Sequence, residues 1–206
     1  MTPPEVDIPN SQLRLALCLL FLACLLLSGI SSSFAEFGNA SENRQVRIGL
    51  RIFKAVLAAD KDLSLKTNGD ESLEIALLYT SHSDKANKFG KELLAMGKSE
   101  KRGNIRGKRI DVKPIHIEKL HTLIRQPAAL FIIDPLNQDQ LKRVIDFAKT
   151  HRRLLYSPFQ GDVERGVMAG LAIETRVRPH INQASLEASS VNLRSFFFKV
   201  AKIYEP

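Results

Sequence analysis

The chain has 206 residues, 44% of them hydrophobic and 25% charged, a balance that excludes disordered and fibrous classes and fits one globular domain. Its formal charge of +8 favours acidic partners or anionic surfaces at long range and does not by itself point to nucleic acid. Both cysteines, Cys18 and Cys24, fall near the N-terminus, so the remaining sequence has no disulfide, thiol nucleophile or cysteine metal ligand to offer.

Leu15–Leu27, "LALCLLFLACLLL", is an uninterrupted apolar run after Arg14. Its 13 residues match the hydrophobic stretch of a signal peptide and are short for a membrane span. Ser33 and Ala35 stand at the minus-three and minus-one positions of a cleavage site before Glu36, so residues 1–35 are expected to be a signal peptide. Glu5 and Asp7 oppose Arg14 in the lead-in, which keeps an uncleaved membrane anchor as the alternative. A lipidated Cys24 is disfavoured by Phe21 and Leu22 before it. Residues 36–44 read as a disordered lead-in and 45–206 as the folded domain. The leader removes one base and two acids, leaving 29 Lys plus Arg against 20 Asp plus Glu.

Val46, Leu50, Phe53 and Leu57 recur at helical spacing, with Ile48, Ile52 and Val56 widening the stripe, which predicts a well-buried first helix. The turn Asn68 to Asp70 precedes "SLEIALLY", an apolar strand of the kind covered on both faces. Ala86, Phe89, Leu93 and Met96 mark an amphipathic helix with Ser83 or Asp84 as N-cap and Gly97 as its stop. The basic connector "KSEKRGNIRGKR" reads as a loop. "IDVKPIHI" alternates into a second strand, "EKLHTLI" makes a short helix, and "AALFIID" is a third strand. Leu141, Val144, Ile145 and Ala148 stripe a further helix before the strand "LLYS".

Helices alternating with apolar strands predict an α/β fold: three layers, with a mostly parallel central sheet and helices on both faces, resembling one lobe of a periplasmic binding protein. Beyond "GDVERG", read as a turn or short helical linker, "AGLAIETRVRPHIN" alternates as one long strand or two shorter ones. Pro179 donates no ladder hydrogen bond and belongs at an edge or strand end. Leu193, Phe196, Phe197, Val200, Ala201 and Tyr204 predict a closing amphipathic helix, whose phenylalanines fit either a core or a homodimer face.

The C-terminal stretch "VMAGLAIETRVRPHINQASLEASSVNLRSFFFKVAKIYE", together with "LRIFKAVLAAD" near the start, resembles the YfiR family of small exported bacterial proteins. The resemblance rests on the Ala169 to Ile173 strand, the Pro179 to Asn182 strand end and the final amphipathic segment, and covers most of residues 45 to 204. It implies a periplasmic, non-enzymatic regulator that binds the periplasmic domain of an inner-membrane signalling protein. The best-understood members restrain a diguanylate cyclase and so set cyclic-di-GMP from outside the cytoplasm. Two features depart from the family: the sequence after the leader has no cysteine for redox control, and the basic loop Lys98 to Arg109 matches no family motif.

Candidate functional residues fall into two groups. Parity puts Arg176, Arg178 and His180, with Glu174, on one strand face as a basic surface row beside an expected sheet edge, where a partner can add backbone pairing to charge complementarity. The bland alternative is a solvated face. Ligands of open α/β sheets sit beyond the carboxyl ends of the strands, which nominates Tyr79, Thr80, Asp134, Tyr156 and Ser157 as lining a small-molecule pocket. A solute-binding or sensor module is therefore the second functional reading, and a single lobe then needs a homodimer or a partner lobe to close on its ligand.

Enzymatic chemistry finds little support. Ser157, Asp134 and His151 lack a nucleophile elbow, and "GDVERG" lacks the spacing of a phosphate loop. His116 and His121 are spaced badly for shared metal ligation. Asn182 reads as a helix cap. No cofactor, metal or nucleic-acid partner is expected.

Overall fold

The computed structural model describes residues 40–205. The expected leader and both cysteines lie outside the described residues. Helix α1 occupies residues 40–59, so residues 40–44, assigned from sequence to a disordered lead-in, are helical. The predicted stripe is its buried face: Val46, Leu50, Phe53, Val56 and Leu57 have no exposed surface.

The strands are β1 (Leu73–Tyr79), β2 (Asn104–Ile105), β3 (Lys108–His116), β4 (Ala129–Ile132), β5 (Leu154–Ser157), β6 (Ala169–Ile173), β7 (Val177–Asn182) and β8 (Lys202–Tyr204). Between them lie helices α2 (Ser83–Ala95), α3 (Gln138–Thr150), α4 (Gln183–Ala188) and the single turn α5 (Ser195–Phe198). All strands join one sheet in the order β2-β3-β1-β4-β5-β6-β7-β8. From β3 to β6 every pairing is parallel, β2 and β7 run against their neighbours β3 and β6, and β8 is parallel to β7. Strand order reverses between β1 and β4, which makes that boundary the topological switch point.

Register assigns the faces, because laterally paired residues share one. Leu77, Phe131 and Tyr156 are paired in series and point to the same side. A Cβ on Gly90 of α2 would meet Leu77 and Val112, and one on Gly49 of α1 would stand 2.7 Å from Pro158 Cβ and 3.3 Å from Tyr156. Helices α1 and α2 therefore cover the same face, and Gly49 permits α1 to lie this close to the sheet. Phe53 of α1 packs edge-on against Phe131 and Tyr156, which stack on each other at 5.3 Å. The right-handed crossovers β1 to β3 and β4 to β5 step in opposite directions, so α3 covers the opposite face. Helix α3 begins with a capping box in which Asn137 and Gln140 satisfy each other's backbone N–H groups.

Several elements differ from the sequence reading. The basic connector folds a 3-10 turn, Ser99–Lys101, and the β2–β3 hairpin, whose bend uses Arg106 and Gly107 at positive φ. "EKLHTLI" becomes a 3-10 helix, Ile117–Thr122. Of the two forms expected for the alternating stretch after Ala169, the structure has the pair of shorter strands, a hairpin of β6 and β7. The predicted closing helix is confined to Ser195–Phe198, after which Lys202–Tyr204 adds β8 to the free edge of β7. The stripe fits one face of a helix, but the edge of β7 offers backbone partners that a surface helix would leave unused.

Candidate functional site

At the switch point Thr80 follows the end of β1 and Asp134 stands just past β4. The Asp134 carboxylate accepts the Thr80 backbone N–H at 3.0 Å and its hydroxyl at 3.4 Å, while Lys85 Nζ, in the first turns of α2, donates to the other oxygen at 3.1 Å. Asp134 is 5% exposed, and the ammonium and amide donors balance the cost of burying its charge. His116, which ends β3 in register with Tyr79, donates from Nε2 to the Thr80 carbonyl at 2.8 Å and accepts the Glu118 N–H at Nδ1. These two partners fix the Nε2–H tautomer. Tyr79 meets the His116 ring edge-on at 5.4 Å.

The structure thus brings together Tyr79, Thr80 and Asp134, as expected from their strand ends, and adds Lys85 and His116. Tyr156 and Ser157 do not join them. Tyr156 is fully buried under α1, its hydroxyl has no hydrogen-bond partner among the described residues, and burial pushes its phenol well above the usual range. Ser157 is fully buried as well: its hydroxyl donates to Asp162 at 2.5 Å and accepts the Phe159 N–H at 3.2 Å. Asp162, also ion-paired with Arg165, is held above the usual carboxylate range by its burial. The turn Gly161–Gly166 covers the end of β5, so its strand end cannot line an open crevice.

The basic row is divided as well. Arg176 is exposed in the bend between β6 and β7. Arg178 is tied to Glu174 at 2.7 Å, and Glu174 also binds Lys202 of β8 at 2.9 Å. Hydrogen bonds from Lys202 and Arg178 depress the Glu174 carboxyl to about 2. His180 is buried, not on the surface: its side chain is 7% exposed. Parity places it correctly opposite Pro179 and Ile181, but the Gly161–Gly166 turn covers that second face. Desolvation lowers its pKa, and Nε2 has no hydrogen-bond partner among the described residues. A cavity of about 90 Å³ beside it is lined by Gln45, Phe159, Gly161, Glu164 and Lys202. The outermost hairpin pair, Ile173 and Val177, is 56% and 46% exposed.

Asn182 caps α4, accepting the Ser185 N–H at 2.9 Å, and its amide donates to the Val163 carbonyl at 2.8 Å. His121 packs on Phe147, apart from His116. Among the described residues no group of three or more His, Cys, Asp or Glu is placed to hold a metal, and no helix is long and apolar enough to cross a membrane.

No family model and no curated protein matches the chain. Solved structures do. The ABC domain in complex with L-Trp from Streptococcus pneumonia superposes with a TM-score of 0.52 at 12% identity, covering 77% of this chain and 62% of that one. A ligand-free, open substrate-binding protein with adhesive properties from Clostridium difficile gives 0.46 at 14% identity, covering 70% and 58%. A conserved domain protein from Vibrio cholerae gives 0.48 at 11%, covering 68% and 57%. The chain spans about three fifths of the length of these structures. The first likeness establishes the fold class, an α/β domain with a mostly parallel mixed sheet.

Proposed function

We propose that this chain is an exported, non-enzymatic regulator that binds the periplasmic domain of an inner-membrane signalling protein, restraining a diguanylate cyclase and so cyclic-di-GMP signalling. The observation that carries the reading is the closure of the switch point on itself. Asp134, Thr80, Lys85 and His116 satisfy one another: the one hydroxyl, on Thr80, meets a carboxylate already held by the Thr80 N–H and the Lys85 ammonium. What projects instead is the β6–β7 hairpin, with the exposed apolar pair Ile173 and Val177 beside Arg176, a mixture suited to protein contact. The partner class comes from the resemblance of the C-terminal stretch to the YfiR family. Export rests on the Leu15–Leu27 run and the residues after it.

A second reading, a periplasmic solute-binding or sensor module, is favoured by the fold likeness to a domain described in complex with L-Trp. One lobe has no facing wall of its own, so this reading requires a second copy or a partner lobe.

Deleting the gene and measuring cyclic-di-GMP beside a complemented strain separates the two. A rise that complementation reverses supports the restraint of a cyclase. An unchanged level removes it and moves solute binding, assayed by thermal-shift screening, to first place.

A further inference from the structure

We infer that His180 is an acid-sensitive latch that holds the turn Gly161–Gly166 against the sheet. This goes beyond the regulator reading and does not depend on it. His180 pairs laterally with Gly170, and a Cβ on Gly170 would stand 2.5 Å from Val163 Cγ2, so Val163 of the turn sits directly beside the imidazole's position. The Asn182 amide, two residues along β7, holds the Val163 carbonyl. The turn thus covers the Nε2 side of His180, while the cavity lined by Glu164 and Lys202 reaches the rest of the ring.

Of the charged groups facing the ring, Glu164 and Glu174 favour a charge there and Lys202 opposes it, but burial outweighs them. Glu164 Oε1, on the turn, lies 3.9 Å from Nδ1, beyond hydrogen-bond distance. Lys202 of β8 is cationic and its ammonium is engaged by Glu174 in the hairpin bend, which Arg178 on the same strand also binds. Tyr204 of β8 meets the ring edge-on at 6.3 Å. With Nε2 buried and unpartnered among the described residues, the closed arrangement favours a neutral imidazole over an imidazolium.

The sign follows. His180 has its pKa lowered by burial ahead of the opposing pull of Glu164, so the closed turn binds fewer protons than the open one. Closure is complete above the ordinary histidine value of about 6.5 and weakens as pH falls below it, by up to about tenfold in closed population per unit of depression. The cavity beside His180 offers space into which the freed side chains can move.

Hydrogen exchange on the full chain tests this, read as protection factors for amides 161–166 between about pH 7.5 and about pH 5.5, where imidazole titrates. Protection in the turn is expected to fall several-fold while β1 and β4 stay constant. His180→Gln, neutral throughout, is expected to remove the pH dependence, and Glu164→Gln, which takes away the carboxylate that favours the imidazolium, to deepen it. Asp162, buried in the same turn, is intact in both variants, so a slope that survives His180→Gln belongs to Asp162 and overturns the latch. Flat protection in the unmodified chain overturns it too. An NMR titration of the His180 ring gives a readout that needs no variant: a midpoint at or above the ordinary histidine value also refutes the proposal.

Discussion

The Asp134 carboxylate and the Thr80 backbone N–H, 54 residues apart in sequence, meet at 3.0 Å across the two strand ends that flank the reversal of the sheet. One buried acid thus ties β1, β4 and, through Lys85, the start of α2. Asp134→Ala leaves the amide and the ammonium without their acceptor, and about 1–3 kcal/mol of stability is expected to be lost on chemical denaturation. Asp134→Asn keeps an oxygen for Thr80 and should lose less.

Tyr156 gives the opposite sign for a polar deletion. Its hydroxyl is buried without a partner among the described residues, so Tyr156→Phe is expected to leave the melting temperature unchanged or raise it. Tyr156→Ala also removes the ring from the Phe53–Phe131 stack and should lose about 3–5 kcal/mol.

Gly170→Ala should destabilise by about 1–3 kcal/mol, because the added methyl meets Val163 at 2.5 Å and the Ser157 carbonyl at 2.8 Å. One contact is backbone, which leaves the turn rather than β5 to yield. A denaturant midpoint equal to that of the unmodified chain would contradict this packing.

Glu174 is expected to titrate at about 2 by side-chain NMR, and Lys202→Ala to move it up towards the ordinary carboxylate range. Because the folded value is depressed, its contribution is present above the ordinary carboxylate range and lost as pH falls through about 2. Its exposure keeps that contribution small.

For partner binding, Arg176→Glu is the informative change in the hairpin, since Arg176 is exposed and Arg178→Glu also breaks the contact with Glu174. On the regulator reading, Arg176→Glu weakens binding to the partner's periplasmic domain with an unaltered circular dichroism spectrum. Unchanged affinity would remove the hairpin from the interface.

Sequence pattern was sufficient for elements whose burial is one-sided or continuous. The α2 and α3 stripes, the run "EIALLY" and the strand "LLYS" all carry a period or an unbroken apolar stretch that survives in the structure. Thr80 and Asp134 were legible for the same reason, since each directly follows an unmistakable strand. Lys85 was not, because a lysine one turn into an amphipathic helix reads as solvated. His116 could have been found by aligning strand ends, because it terminates β3 level with Tyr79. Tyr156 and Ser157 were nominated by their strand end and His180 by parity, and neither signal names what covers the position: α1 over Tyr156, the Gly161–Gly166 turn over Ser157 and His180. The closing segment failed differently, since "SFFFKVAKIY" satisfies a helical stripe over a length that the strand edge splits into a turn and β8.

The clasp between α1 and the C-terminal segment bears on how the chain folds. Asp60 bridges Leu193, Lys61 N–H donates to the Asn192 carbonyl, Arg194 N–H donates to the Ala59 carbonyl, and Asn192 reaches Asp62 across 130 positions of sequence. Pairings of such separation carry the largest loop-closure cost and form late. A chain emerging N-terminus first can therefore seat the apolar face of α1 on Phe131 and Tyr156 before residues 192–194 arrive to clasp the helix end.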